Sequence, residues 1–350
     1  MPVTAAALTG EKRTWTPFST DTTKSPFLID AGSWYAINVY VLNGIRLPEG
    51  MPFADINGAY ALVREHTKTW RDVSFPKTIG VADDIVDYAT KAPRLYQALL
   101  DSSNALEAMK PGTPAFDEQK KRMLTILERL IGDATKHADN ARAVKEIVLK
   151  FRSQTADDHI SVKGLDTKYQ AQYGTQSEKS KEMVLEIAAL HQAIHDLNDE
   201  YDKAVIAAAT TPTYAWIFPF GTIAAGVVAG VFSDKAIKLK EMVGKVKDKL
   251  GQMEAEQKKR IELLALLKTS TLSTSGIEKL MGPACEALDK IAGTWSAISA
   301  DMANLKTLVA GMTDYSMHFL DVPQAIDNWK ALGIKADAYR ANAFINEVAA

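Results

Sequence analysis

Residues 123–151 read MLTILERLIGDATKHADNARAVKEIVLKF, and within them Met123, Leu127, Leu130, Ala134, His137, Ala141, Val144, Val148 and Phe151 follow one another at alternating steps of four and three. Steps of four and three keep a residue on one stripe of an α-helix, so this stretch predicts a long helix with a single seam. The residues between seam positions are largely polar or charged. Such a helix is not stable alone in water and must bury its stripe against partners.

The partners are legible in both directions. Downstream, Ile277, Met281, Ala284, Leu288, Ile291, Trp295, Ile298, Met302, Leu305, Val309 and Met312 repeat the rhythm. So do Met183, Ile187, Leu190, Ile194, Leu197, Tyr201, Ala204 and Ala208, and a third run of Leu239, Val243, Val246, Leu250 and Met253 leads into an apolar patch at 261–267. Upstream, Ile85, Tyr88, Ala92, Leu95, Leu99 and Leu106 form a stripe in which Pro93 predicts a kink or a restart. KPGTP at 110–114 is a tight break, after which Asp117 and Glu118 mark a helix start. Helices are also expected over 33–47, closed by Pro48, over about 54–70, and over about 324–347 after Pro323, whereas residues 1–29 read as an irregular arm and 153–178 as a polar interruption. The fold class implied is all-α: an elongated antiparallel bundle of about five long helices. A helix of about 40 residues is ~60 Å long, so a rod is expected. No stretch outside 204–233 alternates with the period of strands.

Composition narrows function. The chain of 350 residues has 41 basic and 43 acidic side chains, a net charge of -2, which provides no field for nucleic acid or an anionic surface. Its one cysteine, Cys285, falls within an apolar stripe and forms no internal disulfide. The opening MPVTAAALTGEKRTW lacks the basic start and apolar run of a signal peptide, so export, if it occurs, is expected by another route.

One segment breaks the pattern. Between Lys203 and Asp234, residues 204–233 (AVIAAATTPTYAWIFPFGTIAAGVVAGVFS) contain no charge. The run exceeds the ~20 apolar residues that cross a bilayer, yet Pro212, Pro219, Gly221, Gly226 and Gly230 break it as a single helix. Pro219-Phe220-Gly221 suggests a turn between an arm with Tyr214, Trp216, Ile217 and Phe218 and an arm with Ile223, Val227, Val228, Val231 and Phe232. Aromatic and β-branched residues suit short strands in water, while the Ala-rich stretches allow helix in lipid. Gly226 and Gly230 have the spacing that lets membrane helices approach; glycines relieving crowding in a soluble hairpin are the alternative. The lysines at 235, 238, 240, 245, 247 and 249 form either a collar for lipid phosphates or the solvated face of a helix in which Glu241 and Asp248 interleave. The chain therefore reads as bundle (1–203), hydrophobic insertion (204–233) and bundle (234–350).

A heptad bundle interrupted between two helices by one uncharged, Gly- and Ala-rich hairpin, TPTYAWIFPFGTIAAGVVAGVF, resembles the cytolysin A superfamily of α-helical pore-forming toxins. Closest in plan are multi-component members such as the haemolysin BL and non-haemolytic enterotoxin subunits, the tripartite Gram-negative haemolysins and the Mak cytotoxins. The resemblance implies a soluble form with a tongue folded at the bundle tip, as a β-hairpin or short helical hairpin, and a membrane form assembled with homologous subunits in the bilayer of a target cell. Tyr214 to Phe232 would be the tongue, with Trp216, Ile217, Phe218, Phe220, Ile223, Val227, Val228 and Val231 entering lipid, Pro219 to Gly221 its tip, and Thr210 to Pro212 a hinge.

Other constellations carry less. His191 and His195 stand one turn apart but lack the glutamate of a zinc-protease motif and a third ligand, so no metal is expected. His137, in the seam, is either a hydrogen-bonded core residue or a group whose protonation loosens the bundle. No phosphate loop, nucleophile elbow or dinucleotide fingerprint is present, and no enzyme, cofactor or small-molecule substrate is expected. The competing reading is a coiled-coil scaffold whose apolar run is a buried interface.

Overall fold

The seam from Met123 to Phe151 is buried throughout. In the computed structural model of the chain, Met123, Leu127, Leu130, Ala134 and Ala141 are fully buried, and His137, Val144, Val148 and Phe151 nearly so. The structure describes residues 31–173, 178, 181–186, 189, 213–214, 216–217, 223–224, 241–242, 244–245, 248–249, 251–311, 322–343 and 346–347.

The helical elements are α1 (Ala31–Ile45), α2 (Ala54–Thr69), α3 (Phe75–Glu107), α4 (Pro114–Tyr173), α5 (Ala255–Thr274), a single turn α6 (Ile277–Leu280), α7 (Gly282–Gly311) and α8 (Val322–Ala343). Residues 181–186 and the described residues of 241–249 are also helical. Two-residue strands β1 (Thr213–Tyr214), β2 (Trp216–Ile217), β3 (Ile223–Ala224) and β4 (Asn346–Glu347) complete the set. Contacts divide the chain into two compact units: Pro76–Ile147 with Pro283–Arg340, and Ile29–Phe75 with Val148–Gly282 and Ala341–Ala350.

In the first unit α4 and α7 run antiparallel, because Glu128 pairs with Lys306, Thr135 with Ser299, Arg142 with Ser296 and Lys145 with Asp289 in descending order. An aromatic layer ties all four helices of the unit together. Trp295 of α7 stacks on Trp329 of α8 at 5.3 Å, and Tyr88 of α3 meets their rings at 4.8 and 4.6 Å. His137 of α4 lies 4.8 Å from the Trp295 ring. Each of these side chains brings a large apolar area out of water, which is the main stabilising term of the unit. Gly333 of α8 sits where a Cβ would come within 2.8 Å of the Ala89 Cβ, so α3 and α8 approach closely there.

The second unit packs α1, α2, a π-helical turn at Trp70–Ser74, the second part of α4, and α5. Trp70 stacks on Phe151 at 4.1 Å. Asp55 bonds Lys168 and Tyr169 while His66 faces Asp158, so α2 and α4 are antiparallel. In α5, Ile261 and 263–267 are all buried, the signature of a helix surrounded by protein on every side.

Several expectations are corrected. Residues 153–178 are not a polar interruption, since α4 continues as one helix to Tyr173. Its stripe persists as Thr155, Asp158, Val162, Asp166 and Tyr169, all buried; periodic position held where hydrophobicity lapsed. Of the kink and the restart expected at Pro93, the restart does not occur: α3 runs through it as one helix, with Tyr88, Ala92, Tyr96 and Leu99 around it packed. On that stripe Tyr96 is fully buried and Leu95 only half-buried. Helix α2 passes through the π turn into α3, where the Phe75 N–H bonds the Trp70 carbonyl. A proline crowds the carbonyl four residues back, and the wider turn just ahead of Pro76 makes room for it. On the last helix the core face is Ala325, Trp329, Leu332 and Ala336, with Ile326 half-buried.

The break at 110–114 forms as expected. Gly112 takes φ +78°, and Thr113 caps α4 by accepting the Phe116 N–H at 3.3 Å.

Candidate membrane-inserting segment

The uncharged segment 204–233 lies in sequence between the helical residues 181–186 and the described helical residues 241–242, 244–245 and 248–249. An ion pair joins Glu186 to Lys249, bringing the two flanking helical stretches side by side. Lys249 of the basic series is therefore engaged within the protein.

Among the expected site residues, the structure pairs Trp216 with Ala224 and Ile217 with Ile223 in an antiparallel bridge. Tyr214 pairs with Glu347, and Thr213 with Asn346, in a parallel one. Thr210, Pro212, Phe218, Pro219, Phe220, Gly221, Gly226, Val227, Val228, Gly230, Val231 and Phe232 lie outside the described residues, as do His191 and His195. No helix among the described residues is long and apolar enough to cross a membrane. None of their His, Cys, Asp and Glu side chains cluster as a metal site.

His137 is a core residue. Its Nδ1 lies 3.2 Å from the Asp84 carboxylate, which also accepts from Asn140 Nδ2.

Sequence reasoning missed a polar layer in the second unit. Tyr40 donates its hydroxyl to Asp158 Oδ2 at 2.7 Å, and His66 Nδ1 lies 3.1 Å from Asp158 Oδ1. Tyr60 and Ser270 share a hydrogen bond of 3.2 Å, and His159 Nδ1 meets Thr274 Oγ1 at 3.0 Å. Burial raises the Asp158 carboxyl above the usual carboxylate range, against the lowering hydrogen bond from Tyr40 and the charge and bond of His66. Burial likewise pushes the Tyr60 hydroxyl up to about 12. The available signal was the seam itself, whose steps of four and three continue through 155–169.

No protein-family model matches the sequence. The pesticidal crystal protein Cry6Ba of Bacillus thuringiensis is 20% identical over 362 residues, covering 92% of this chain and 90% of that protein. Among solved structures, the Bacillus cereus HblL1 toxin component superposes with a TM-score of 0.60 at 15% identity, over 92% of this chain and 97% of that one. Soluble SmhA, from the tripartite α-pore-forming toxin Smh of Serratia marcescens, gives 0.62 at 14% identity, over 96% and 98%. Motility Associated Killing Factor B of Vibrio cholerae gives 0.60 at 11% identity, over 95% of each chain. The chain thus shares its helical fold with these toxin components over nearly its whole length.

Proposed function

We propose that this chain is one component of an α-pore-forming toxin, released from its producer and acting on the membrane of a target cell together with homologous subunits. The carrying observation is the coincidence of two features: a helical fold shared with tripartite toxin components, and a 30-residue run without charge joining two of its helices. In this reading 204–233 is a tongue, with Tyr214, Trp216, Ile217, Phe218, Phe220, Ile223, Val227, Val228, Val231 and Phe232 entering lipid. The bridge between β2 and β3, with Pro219 to Gly221 between the paired residues in sequence, supports a hairpin. Thr210 and Pro212 serve as the hinge, and Gly226 and Gly230 allow close helix approach once in the bilayer.

Insertion exchanges the tongue's soluble contacts for lipid burial, at ~25 cal/mol per Å² of apolar area. In lipid every backbone group must be bonded internally, so a helical tongue continuous with its flanking helices satisfies what a two-residue bridge does not. The activity requires no cofactor and no chemical reaction.

The test places a charge in the tongue. Val228→Asp and Ile223→Lys should abolish flotation with liposomes while leaving the circular dichroism of the free protein unchanged. A charge at mid-bilayer costs roughly 2.5 to 3.5 kcal/mol on insertion scales, enough to lower partitioning by about two orders of magnitude. If these variants float and release dye like the parent, 204–233 is not the inserting element.

A further inference from the structure

Asp158 is 3% exposed, and the groups that meet its carboxylate come from two other elements. Tyr40 of α1 donates to Oδ2 at 2.7 Å, and His66 of α2 places Nδ1 3.1 Å from Oδ1 and 3.2 Å from Oδ2. The His66 side chain remains 16% exposed, so protons from solvent have an entry to an otherwise closed cluster. We propose that Tyr40, His66 and Asp158 form a buried proton-binding site, in which the Asp158 carboxylate takes up one proton as the pH falls and the α1–α2–α4 junction tightens.

The surroundings set the direction. Asp157, next along α4, adds negative charge that favours proton uptake. His159 turns to Thr274 of α5, and Asp166, two turns on, faces Lys268 of α5 at 3.8 Å. Arg64 of α2 is occupied by Glu49 and by the carbonyls of Leu47 and Pro48. When ionised, the Asp158 carboxylate is a desolvated negative charge met by the Tyr40 hydroxyl and the His66 ring. After uptake the carboxyl is neutral, and a neutral buried group is less costly than a buried anion.

The sign follows from linkage. Burial raises the Asp158 carboxyl in the folded protein. A raised value means that its stabilising contribution is complete below the ordinary aspartate value of about 4 and is lost as the pH rises through the raised one. Acid should therefore tighten this junction, whereas acid denaturation through paired surface carboxylates acts in the opposite sense.

Asp158→Asn keeps the size and an acceptor for Tyr40 while removing the charge, so it imitates the loaded site at every pH. Thermal unfolding of the full chain from pH 8 to pH 5 should show this variant gaining on the parent at pH 8 by a few degrees, with the gap closing toward pH 5. Hydrogen exchange, corrected for intrinsic rates, should show α1 and α2 of the parent better protected at the lower pH, by about tenfold for each pH unit over which the site loads. In the variant that protection should not change. A parent-to-variant difference that is the same at every pH would overturn the proposal and leave Asp158 as a plain acceptor. Should the variant not fold, the Asp158 carboxyl ¹³C shift in the parent decides: titration above the ordinary aspartate range supports the site, and titration at or below it removes the site. These readouts use no membrane, so their failure is separable from failure of the pore-forming reading.

Discussion

The two halves of α4 carry the same stripe in opposite chemistry. From Met123 to Phe151 the stripe is apolar except for His137 and buried, Met123 to Val144 within the first unit and Val148 and Phe151 within the second, where Phe151 stacks on Trp70. From Thr155 to Tyr169 it holds Thr155, Asp158 and Asp166, which are as buried as the apolar residues before them. The first half needs only area and shape, because burying hydrocarbon is favourable with any well-packed partner. The second half needs particular partners, because a buried hydroxyl or carboxylate left unpaired is destabilising. Tyr40 and His66 supply that pairing for Asp158, and Lys268 faces Asp166, all from elements far away in sequence. A core of the first kind resists change, whereas one of the second kind responds to protons and to the loss of single groups.

The largest expected effect tests the apolar half. Trp295→Ala removes the centre of the aromatic layer, and truncating a buried tryptophan costs about 3 to 5 kcal/mol. Urea unfolding should show a large fall in midpoint; a small one would mean that Tyr88, His137 and Trp329 close the space. A smaller effect tests the polar layer of the second unit. Tyr60→Phe deletes the hydroxyl that meets Ser270, but Ser270 Oγ still donates to the Leu266 carbonyl at 2.8 Å, so the loss should be about 0.5 to 1.5 kcal/mol. A loss as large as that of Trp295→Ala would erase the distinction between the two kinds of core. The smallest effect belongs to the exterior: Lys306→Ala breaks the 2.8 Å pair with Glu128, whose side chains are 39% and 59% exposed. Solvent screening limits this pair to less than about 1 kcal/mol, and added salt should shrink the difference further.

How much was legible depends on which physical signal carried the information. The seams through Met123 to Phe151 and Ile277 to Val309 are buried where the spacing of apolar residues placed them, because helical period and hydrophobicity agree there. Where they disagree, as at Asp158 and Asp166, a reading weighted by hydrophobicity ended the helix too early. Pro93 left a kink or a restart open, and the helix does not restart there: a proline's local cost is a few kcal/mol, which packing on both sides of it outweighs.

By itself, then, the sequence determined the helical class, the stripes that must be covered, the capped start of α4 at Thr113, and the one uncharged stretch at 204–233 that no soluble bundle requires. Those properties are local or periodic, and each follows from the residues within a few turns of one another. Only the tertiary structure decided that α4 runs unbroken to Tyr173, that Tyr96 rather than Leu95 enters the core, and that Asp158 meets Tyr40 and His66 across 118 and 92 residues of chain. Pairings over such distances are set by which helices pack together, and no local spacing encodes them.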